Sequence, residues 1–175
     1  MIALRLVPAW QAPEVAALYR AASGQSRRPE FYTAGGVPDT IDGRFDLLAL
    51  HLVLLMLRLR GEGPQGRKMS QHLFDFMGAD MDRSLREMGV GDTGIPRRVK
   101  AMGEGFYGRY AAYEKGLGDG RDALMTALDK NLYGTVPTAP DSLALMAAYV
   151  LRARDTLAGQ PLEALLAGKA EFGSF

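Results

Sequence analysis

The side chains that most enzymes use for catalysis are scarce in this sequence. It has no cysteine and only two histidines, His51 and His72. The missing thiols exclude disulfides, thiol catalysis and cysteine-ligated zinc or iron–sulfur clusters. A catalytic zinc ion needs three protein ligands, commonly histidines, and neither the HExxH motif nor the GxSxG motif of serine hydrolases is present. We therefore predict no catalytic residue, no metal site and no cofactor.

Residues 89–94 read GVGDTG and match the GxGxxG pattern of dinucleotide-binding loops. In those folds the pattern follows a strand and opens a helix. Here it follows the end of a predicted helix instead. Gly89 fits a helix stop with Val90 as its apolar contact, and Asp92 or Thr93 fits the cap of the next helix. We interpret the glycines without a nucleotide.

Charged residues recur every seven positions on two consecutive predicted helices. Arg44 and His51 share one helical face, and Asp75 and Asp82 share a face of the following helix. If the two helices are antiparallel neighbours, Arg44 lies opposite Asp82 and His51 opposite Asp75. This arrangement predicts a polar seam that fixes the register of the helices or contacts a partner. Two separately solvated faces are the alternative, to which we give equal weight.

Methionines line the third predicted helix, among them Met81 and Met88. Such a row is typical of core packing, and the alternative is a soft surface that adapts to an apolar segment of another protein. Arg97, Arg98 and Lys100 crowd the start of the fourth helix, where the helix dipole is already positive. An anionic partner group docking there would offset this local cost, whereas a solvated basic patch is the simpler interpretation.

Periodicity and helix-stop residues predict helices, and no strand pair is convincing. Thr40 caps the second helix, which runs to about Arg60 and carries apolar residues around its whole circumference, as a helix at the centre of a bundle does. Residues Ile2–Val7 form either a short strand or a frayed end. We predict an all-α, single-domain irregular bundle of six or seven helices around a central apolar helix, with a helical domain at 1–168 and a loose tail at 169–175.

Composition and charge limit the classes of protein to which the chain can belong. Of 175 residues, 47% are apolar and 23% charged, which excludes disordered and membrane-spanning classes. The 21 basic and 20 acidic side chains leave a net charge of +1, so no global field attracts DNA or an anionic membrane. The longest apolar stretch, Leu47–Leu57, covers about 16 Å as a helix, against a bilayer core of about 30 Å. The start of the chain shows no signal peptide. We expect a cytoplasmic protein, with the cytoplasmic face of the inner membrane as an optional contact.

Three long segments resemble the ubiquinol-cytochrome c chaperone family. They are GVPDTIDGRFD at 36–46, LFDFMGADMDRSLREMGVGD at 73–92 and RRVKAMGEGFYGR at 97–109. The resemblance covers about residues 19–133, with a weaker likeness to about Leu157. Long ordered matches of this kind are far more specific than the GxGxxG pattern inside one of them.

The resemblance implies an assembly chaperone. The mitochondrial members assist assembly of complex III by binding newly made cytochrome b, and they work with a small partner protein at the ribosome and the inner membrane. We expect a compact bacterial-type member without their long N-terminal extension, and contact with a small helical partner protein or the ribosome stays open. The resemblance supplies no active-site residues.

We predict that the end of the third helix, the glycine loop and the start of the fourth helix contact the client without catalysis. The alternatives are a peripheral membrane or scaffold module that uses Leu47–Leu57 at the interface, and, less favoured, a metal-dependent enzyme with a pocket around His51 or His72. The predicted partner-binding residues are Asp80, Met81, Asp82, Arg83, Arg86, Met88, Asp92, Arg97, Arg98, Lys100, Phe106, Tyr107 and Arg109.

Overall fold

The computed structural model describes residues 8–134 and 136–175, so the expectation for Ile2–Val7 lies outside the described residues. Within these ranges the chain is all-helical and contains no strand, which confirms the predicted fold class. A 3₁₀ turn precedes eight α-helices, of which only the short α2 was not expected from the sequence. The turn is Ala9–Gln11, and the helices are α1 Pro13–Ser26, α2 Glu30–Thr33, α3 Ile41–Arg60, α4 Gly63–Glu87, α5 Ile95–Asp119, α6 Arg121–Asn131, α7 Pro140–Ala158 and α8 Leu162–Leu166.

Helix α3 lies at the centre of the bundle, as its all-round apolar surface predicts. It packs against α1, α4, α5 and α7. Most of its leucines are almost completely buried, including Leu47, Leu50 and Leu55, whereas Leu48 and Leu57 are partly buried. The Leu47–Leu57 segment therefore lies mostly in the core, so little of it is free to contact a membrane as the membrane-module alternative requires. Across the described ranges, no helix combines the length and apolarity needed to cross a membrane.

The start of α3 is fixed by the predicted cap. Thr40 Oγ1 accepts a hydrogen bond from the Gly43 N–H at 3.0 Å, which satisfies one donor of the first helical turn. We expect Thr40→Ala to lower the free energy of unfolding by about 1 kcal/mol, because that donor loses its acceptor. Urea denaturation measures the change. Thr40→Ser keeps an acceptor oxygen and serves as the control; equal losses in both variants would contradict the capping role.

The glycine loop after α4 is a helix stop. Gly89 has a φ of +78°, which favours glycine. Its N–H bonds the Arg86 carbonyl at 2.9 Å, and the Val90 N–H bonds the Leu85 carbonyl at 3.0 Å. This is the Schellman pattern, so the helix-stop interpretation of GVGDTG is confirmed. The expected cap at Asp92 or Thr93 is wrong, because α5 begins after Gly94 without a side-chain cap.

The C-terminal segment 169–175 packs on the bundle, so the expectation of a loose tail is wrong. Phe172 is 3% exposed and belongs to the hydrophobic core, with its ring 5.2 Å from that of His51. Phe175 packs edge-on against Phe31 at 4.8 Å. The side chain of Gln160 exchanges two hydrogen bonds with the backbone of the segment, at 2.7 and 2.9 Å. The two phenylalanines bury enough apolar surface to hold a segment that was expected to be loose because it lies at the chain terminus.

Candidate functional site

A groove of about 730 Å³ opens where the end of α1, the chain from Pro29 to Asp39, the start of α3 and the end of α4 meet. Apolar side chains from α3 and α4 line it, including Leu48, Met81 and Leu85. Ile41 and Met88 also line it, and 73% and 56% of their surfaces are exposed to solvent. Exposed large apolar side chains beside a groove are typical of a site that binds another molecule. We call this feature the α1–α4 groove.

Most polar groups of the α1–α4 groove are bonded within the protein. The Tyr19 hydroxyl donates to Asp80 Oδ2 at 2.8 Å, and Asp80 also forms an ion pair with Arg83. The Tyr32 hydroxyl donates to the Ser26 carbonyl at 2.8 Å. Burial raises the pKa of Tyr19 above its ordinary value, and the Asp80 carboxylate adds to that shift. Both tyrosines are therefore neutral hydrogen-bonding groups at physiological pH.

The cations of the groove differ in their partners. Arg44 Nε lies 2.7 Å from Asp39 Oδ1, so its charge is neutralised locally. Arg27 also lines the groove, and no acidic side chain of the described residues pairs with it. Burial raises the pKa of Tyr32, and the positive charges of Arg44 and Arg27 oppose that shift. The two guanidinium groups therefore act on the same end of the groove.

Three predicted contact residues, Asp80, Met81 and Met88, line the groove. Three others form an ion-pair network beside it. Arg86 lies at the end of α4, where its Nε donates to Asp82 Oδ2 at 2.7 Å and its Nη1 donates to Asp92. This network joins α4 to the glycine loop.

The basic cluster at the start of α5 is exposed. Arg97 and Arg98 have no ion-pair partner among the described residues, and Lys100 Nζ lies 3.8 Å from Glu104 Oε1. The first turn of α5 contains no acidic residue to balance the helix dipole. The cluster is thus a solvent-facing positive patch next to the glycine loop.

The three predicted residues farther along α5 have different environments. Phe106 is completely buried beside Phe74, so its assignment to the contact surface is wrong; it lies on the face of α5 that packs into the core. Tyr107 is 55% exposed and packs on Phe74 with ring centroids 4.8 Å apart. Arg109 Nη2 lies 2.6 Å from Asp46 Oδ1 in a largely buried ion pair between α3 and α5. Only Tyr107 of the three offers a free surface.

The predicted polar seam does not form. Arg44 pairs with Asp39 rather than with Asp82, and Asp75 accepts from Gln71 at 2.9 Å rather than from His51. The spacing of seven residues does place Arg44 and His51 on one face of α3, and the two aspartates on one face of α4. The error arose because an apolar helix at the centre of a bundle has neighbours on every side, so a shared face does not identify the helix that it meets.

His51 lies in the core and bonds along a polar chain. It is completely buried, its Nδ1 donates to the Leu47 carbonyl at 2.8 Å, and its Nε2 accepts from the Tyr149 hydroxyl at 2.7 Å. Gln25 Nε2 donates in turn to the Tyr149 oxygen at 3.0 Å. Burial favours the neutral form of the ring, and the Leu47 carbonyl, which can only accept, places its proton on Nδ1. His51 therefore has a structural role and does not line the groove.

Acid should destabilise the fold through His51. Burial lowers its pKa to about 4, against about 6.5 in the unfolded chain. Between these values the unfolded state binds the proton and the folded state does not, so the free energy of unfolding falls as pH falls from about 6.5 to 4. We expect this group alone to remove about 2 kcal/mol at pH 5. Comparing the free energy of unfolding in urea of wild type and His51→Gln at pH 7, 6 and 5 isolates the contribution of His51. Parallel pH profiles of the two proteins would contradict the lowered pKa of His51.

Asp46 opposes this dependence. Burial raises its pKa to about 6, and the Arg109 charge offsets that shift only in part. The folded state therefore binds this proton before the unfolded state does, and its contribution to stability grows as pH falls below 6. Removing it with Asp46→Asn should make the loss of stability between pH 7 and 5 steeper than in wild type. The same urea series tests this; an unchanged slope would count against the raised pKa.

Three residues that line the groove were not identified from the sequence: Arg27 at the C-terminal cap of α1, Tyr32 in α2 and Ile41 at the start of α3. The only signal was indirect: Ile41 is a large apolar residue at the first position of a capped helix, where burial is not required. His72, the second histidine, is half-buried, and no cluster of three or more acidic or histidine side chains suited to a metal ion occurs in the part of the chain that the structure describes.

Known proteins resemble this chain in sequence and in fold. Residues 33–172 match a family model described as ubiquinol-cytochrome C chaperone. The chain is 29% identical over 143 residues to ubiquinol-cytochrome-c reductase complex assembly factor 1 of Xenopus laevis, covering 80% of this chain and 70% of that protein. It is 27% identical over 146 residues to the assembly factor 1 of Homo sapiens, covering 82% of this chain and 48% of that protein. This chain thus spans about half the length of the human relative.

A solved structure extends the likeness to the whole bundle. The crystal structure of the Cbp3 homolog from Brucella abortus superposes with a TM-score of 0.81 at 36% sequence identity, covering 92% of this chain and 89% of that one. The family model covers well over half of this chain, including the groove wall of α3, the whole of α4 and the glycine loop. The chain belongs to the ubiquinol-cytochrome c chaperone family.

Proposed function

We propose that this chain is an assembly chaperone for ubiquinol-cytochrome c reductase that binds newly made cytochrome b and catalyses no reaction. The observation that carries the proposal is the α1–α4 groove, where Ile41 and Met88 leave large apolar surfaces exposed. An unassembled membrane protein exposes apolar segments that are costly in water, and an adaptable groove replaces their missing neighbours. Membership of a chaperone family agrees with this role.

The proposed contact surface combines the groove with the charged surface beside it. The apolar groove would hold the client, and the exposed cations at the start of α5 would bind anionic groups flanking it. Tyr107 adds an aromatic surface farther along α5. The proposed surface residues are Asp80, Met81, Asp82, Arg83, Arg86, Met88, Asp92, Arg97, Arg98, Lys100 and Tyr107.

We place the chaperone in the cytoplasm, in peripheral contact with the inner membrane that contains its client. Contact with a small helical partner protein or with the ribosome stays a prediction. The membrane-module alternative makes a different prediction: the purified chain should float with liposomes that contain no cytochrome b. The chaperone proposal expects no flotation without the client.

Deleting the gene tests the function in the source cell. We expect the amount of assembled ubiquinol-cytochrome c reductase, measured on native gels, to fall, and the wild-type gene to restore it. A tagged chain recovered from detergent-solubilised membranes should retain cytochrome b, detected with a specific antibody, and should not retain an unrelated membrane subunit. A normal amount of the assembled complex in the deletion strain would contradict the proposal.

A further inference from the structure

The length of the α1–α4 groove limits the length of the peptide segment that it can bind. Its walls include residues 19–27 of α1 and its cap, residues 80–88 of α4 and its cap, and residues 41–48 of α3. Eight residues of helix rise about 12 Å, so the walls extend for little more than two helical turns. An occupant that follows these walls contacts them over about two turns of its own.

The hydrogen bonds of the groove favour a helical occupant over an extended one. Apolar side chains make up much of its lining, and the hydroxyls of Tyr19, Ser26 and Tyr32 already donate to Asp80, Ser23 and Ser26 respectively. An extended peptide would bury backbone N–H and C=O groups with few partners, which is costly. A helix satisfies these groups internally and presents only side chains.

The apolar lining is suited to side chains of varied shape. Met81, Met88 and Met102 line the groove, and methionine is unbranched and polarizable, so it adapts to different apolar partners. Ile41 stands on the α3 side with most of its surface exposed. Apolar residues repeated at every third or fourth position of a bound helix would cover these side chains.

The charges that line the groove favour an occupant with a negative group near Arg27. The Asp80 carboxylate is matched by Arg83 and the Asp39 carboxylate by Arg44. Arg27 has no such partner among residues 8–134 and 136–175, and it lies at the C-terminal cap of α1. A negative group on the occupant would therefore complement this end of the groove without competing with an existing ion pair.

We propose that the α1–α4 groove seats about two turns of an apolar helix of the client, with a carboxylate of that helix placed against Arg27. The identity of the client rests on the function proposed above, whereas the helical and acidic character of the bound segment rests on the groove itself. Arg27 and Ile41 thereby become specificity-determining residues that lie outside the surface expected from the sequence.

Synthetic peptides test the chemistry of the occupant directly. The probe is a fluorescein-labelled helical peptide of about 15 residues, long enough to form a helix, with leucines spaced for one face and a single glutamate at its N-terminal or C-terminal end. Fluorescence anisotropy with the full chain should detect binding of one of the two glutamate peptides. Lysine in place of glutamate should weaken that binding about tenfold. Equal affinity for glutamate and lysine, or no binding of either glutamate peptide, overturns the proposal.

Reversing the charge of Arg27 tests whether this residue contacts the carboxylate of the bound peptide. Arg27→Glu should weaken binding of the glutamate peptide about tenfold and strengthen binding of the lysine peptide by a similar factor. Arg152→Glu is the matched control, because Arg152 is exposed on α7 and does not line the groove. It should leave both affinities unchanged. Loss of binding of both peptides in Arg27→Glu, without the exchange, would place the carboxylate elsewhere.

Client capture separates this inference from the proposed function. Ile41→Glu should reduce retention of cytochrome b at least tenfold without unfolding the chain, because a glutamate in the first turn of α3 suits its dipole. Leu145→Glu is the control, since Leu145 is 39% exposed on α7 away from the groove. If wild type retains cytochrome b and Ile41→Glu retains it equally, the inference fails alone. If wild type retains none while the glutamate peptide binds, the proposed client fails alone.

Discussion

Replacing Phe172 with alanine is expected to lower the free energy of unfolding by about 4 kcal/mol, the usual cost of removing a buried aromatic ring from a core. Phe172 is 3% exposed and its ring packs against His51, at the centre of a cluster that also includes Phe31 and Tyr149. The surrounding helices cannot close the cavity without moving the polar chain through His51. Urea denaturation at pH 7 measures the loss, and thermal unfolding should show a decrease in Tm of about 10 °C.

Tyr107→Ala is the control, because Tyr107 is also aromatic but is 55% exposed. Its removal should cost less than about 1.5 kcal/mol. If Phe172→Ala loses no more stability than Tyr107→Ala, the packing of segment 169–175 on the core is not present in solution.

Gly66→Ala is expected to destabilise the protein by about 3 kcal/mol, near the upper end of overpacking costs. A Cβ at position 66 would lie 2.0 Å from the Leu59 carbonyl oxygen and 2.9 Å from Glu62 Cβ. The first contact is with backbone, so no side-chain rotation relieves it and the connection between α3 and α4 must open. Circular dichroism during urea unfolding measures the change.

Gly78→Ala in the same helix is the matched control. Nothing lies within 4 Å of the Cβ that it adds, and alanine is favoured over glycine in a helix by about 1 kcal/mol. The two substitutions should therefore have opposite signs. Two stabilising substitutions would show that α3 and α4 do not approach each other closely at Gly66.

Much of the fold could be predicted from local features of the sequence. Thr40 and Gly89 act through hydrogen bonds to backbone within a few residues, so their sequence context identifies the start of α3 and the end of α4. The central position of α3 follows from the apolar residues that surround most of its circumference. The proposed function depends on the family resemblance, because no isolated motif in the sequence indicates a chaperone.

The remaining features depend on tertiary contacts and could not be predicted from the sequence. Whether His51 meets α4 or α7 depends on the orientation of α3, which periodicity along one helix does not contain. Phe106 and Tyr107 are adjacent aromatic residues of α5, yet one is buried and the other is exposed. The groove combines α1, α3 and α4 across more than sixty positions of sequence, as the hydrogen bond between Tyr19 and Asp80 illustrates, so it could be found only from the fold.

The close approach of Gly66 to Leu59 fixes the α3–α4 pair at one end, while the groove lies at the other. From Gly66 to Leu85 the helix rises about 28 Å. Because the backbones are in contact at Gly66, a change of about 5° in the direction of α4 at that point would displace its residues in the groove wall by about 2.5 Å. The width of the groove thus depends on how α4 is held at a glycine nearly thirty ångströms away, a position that does not line the groove.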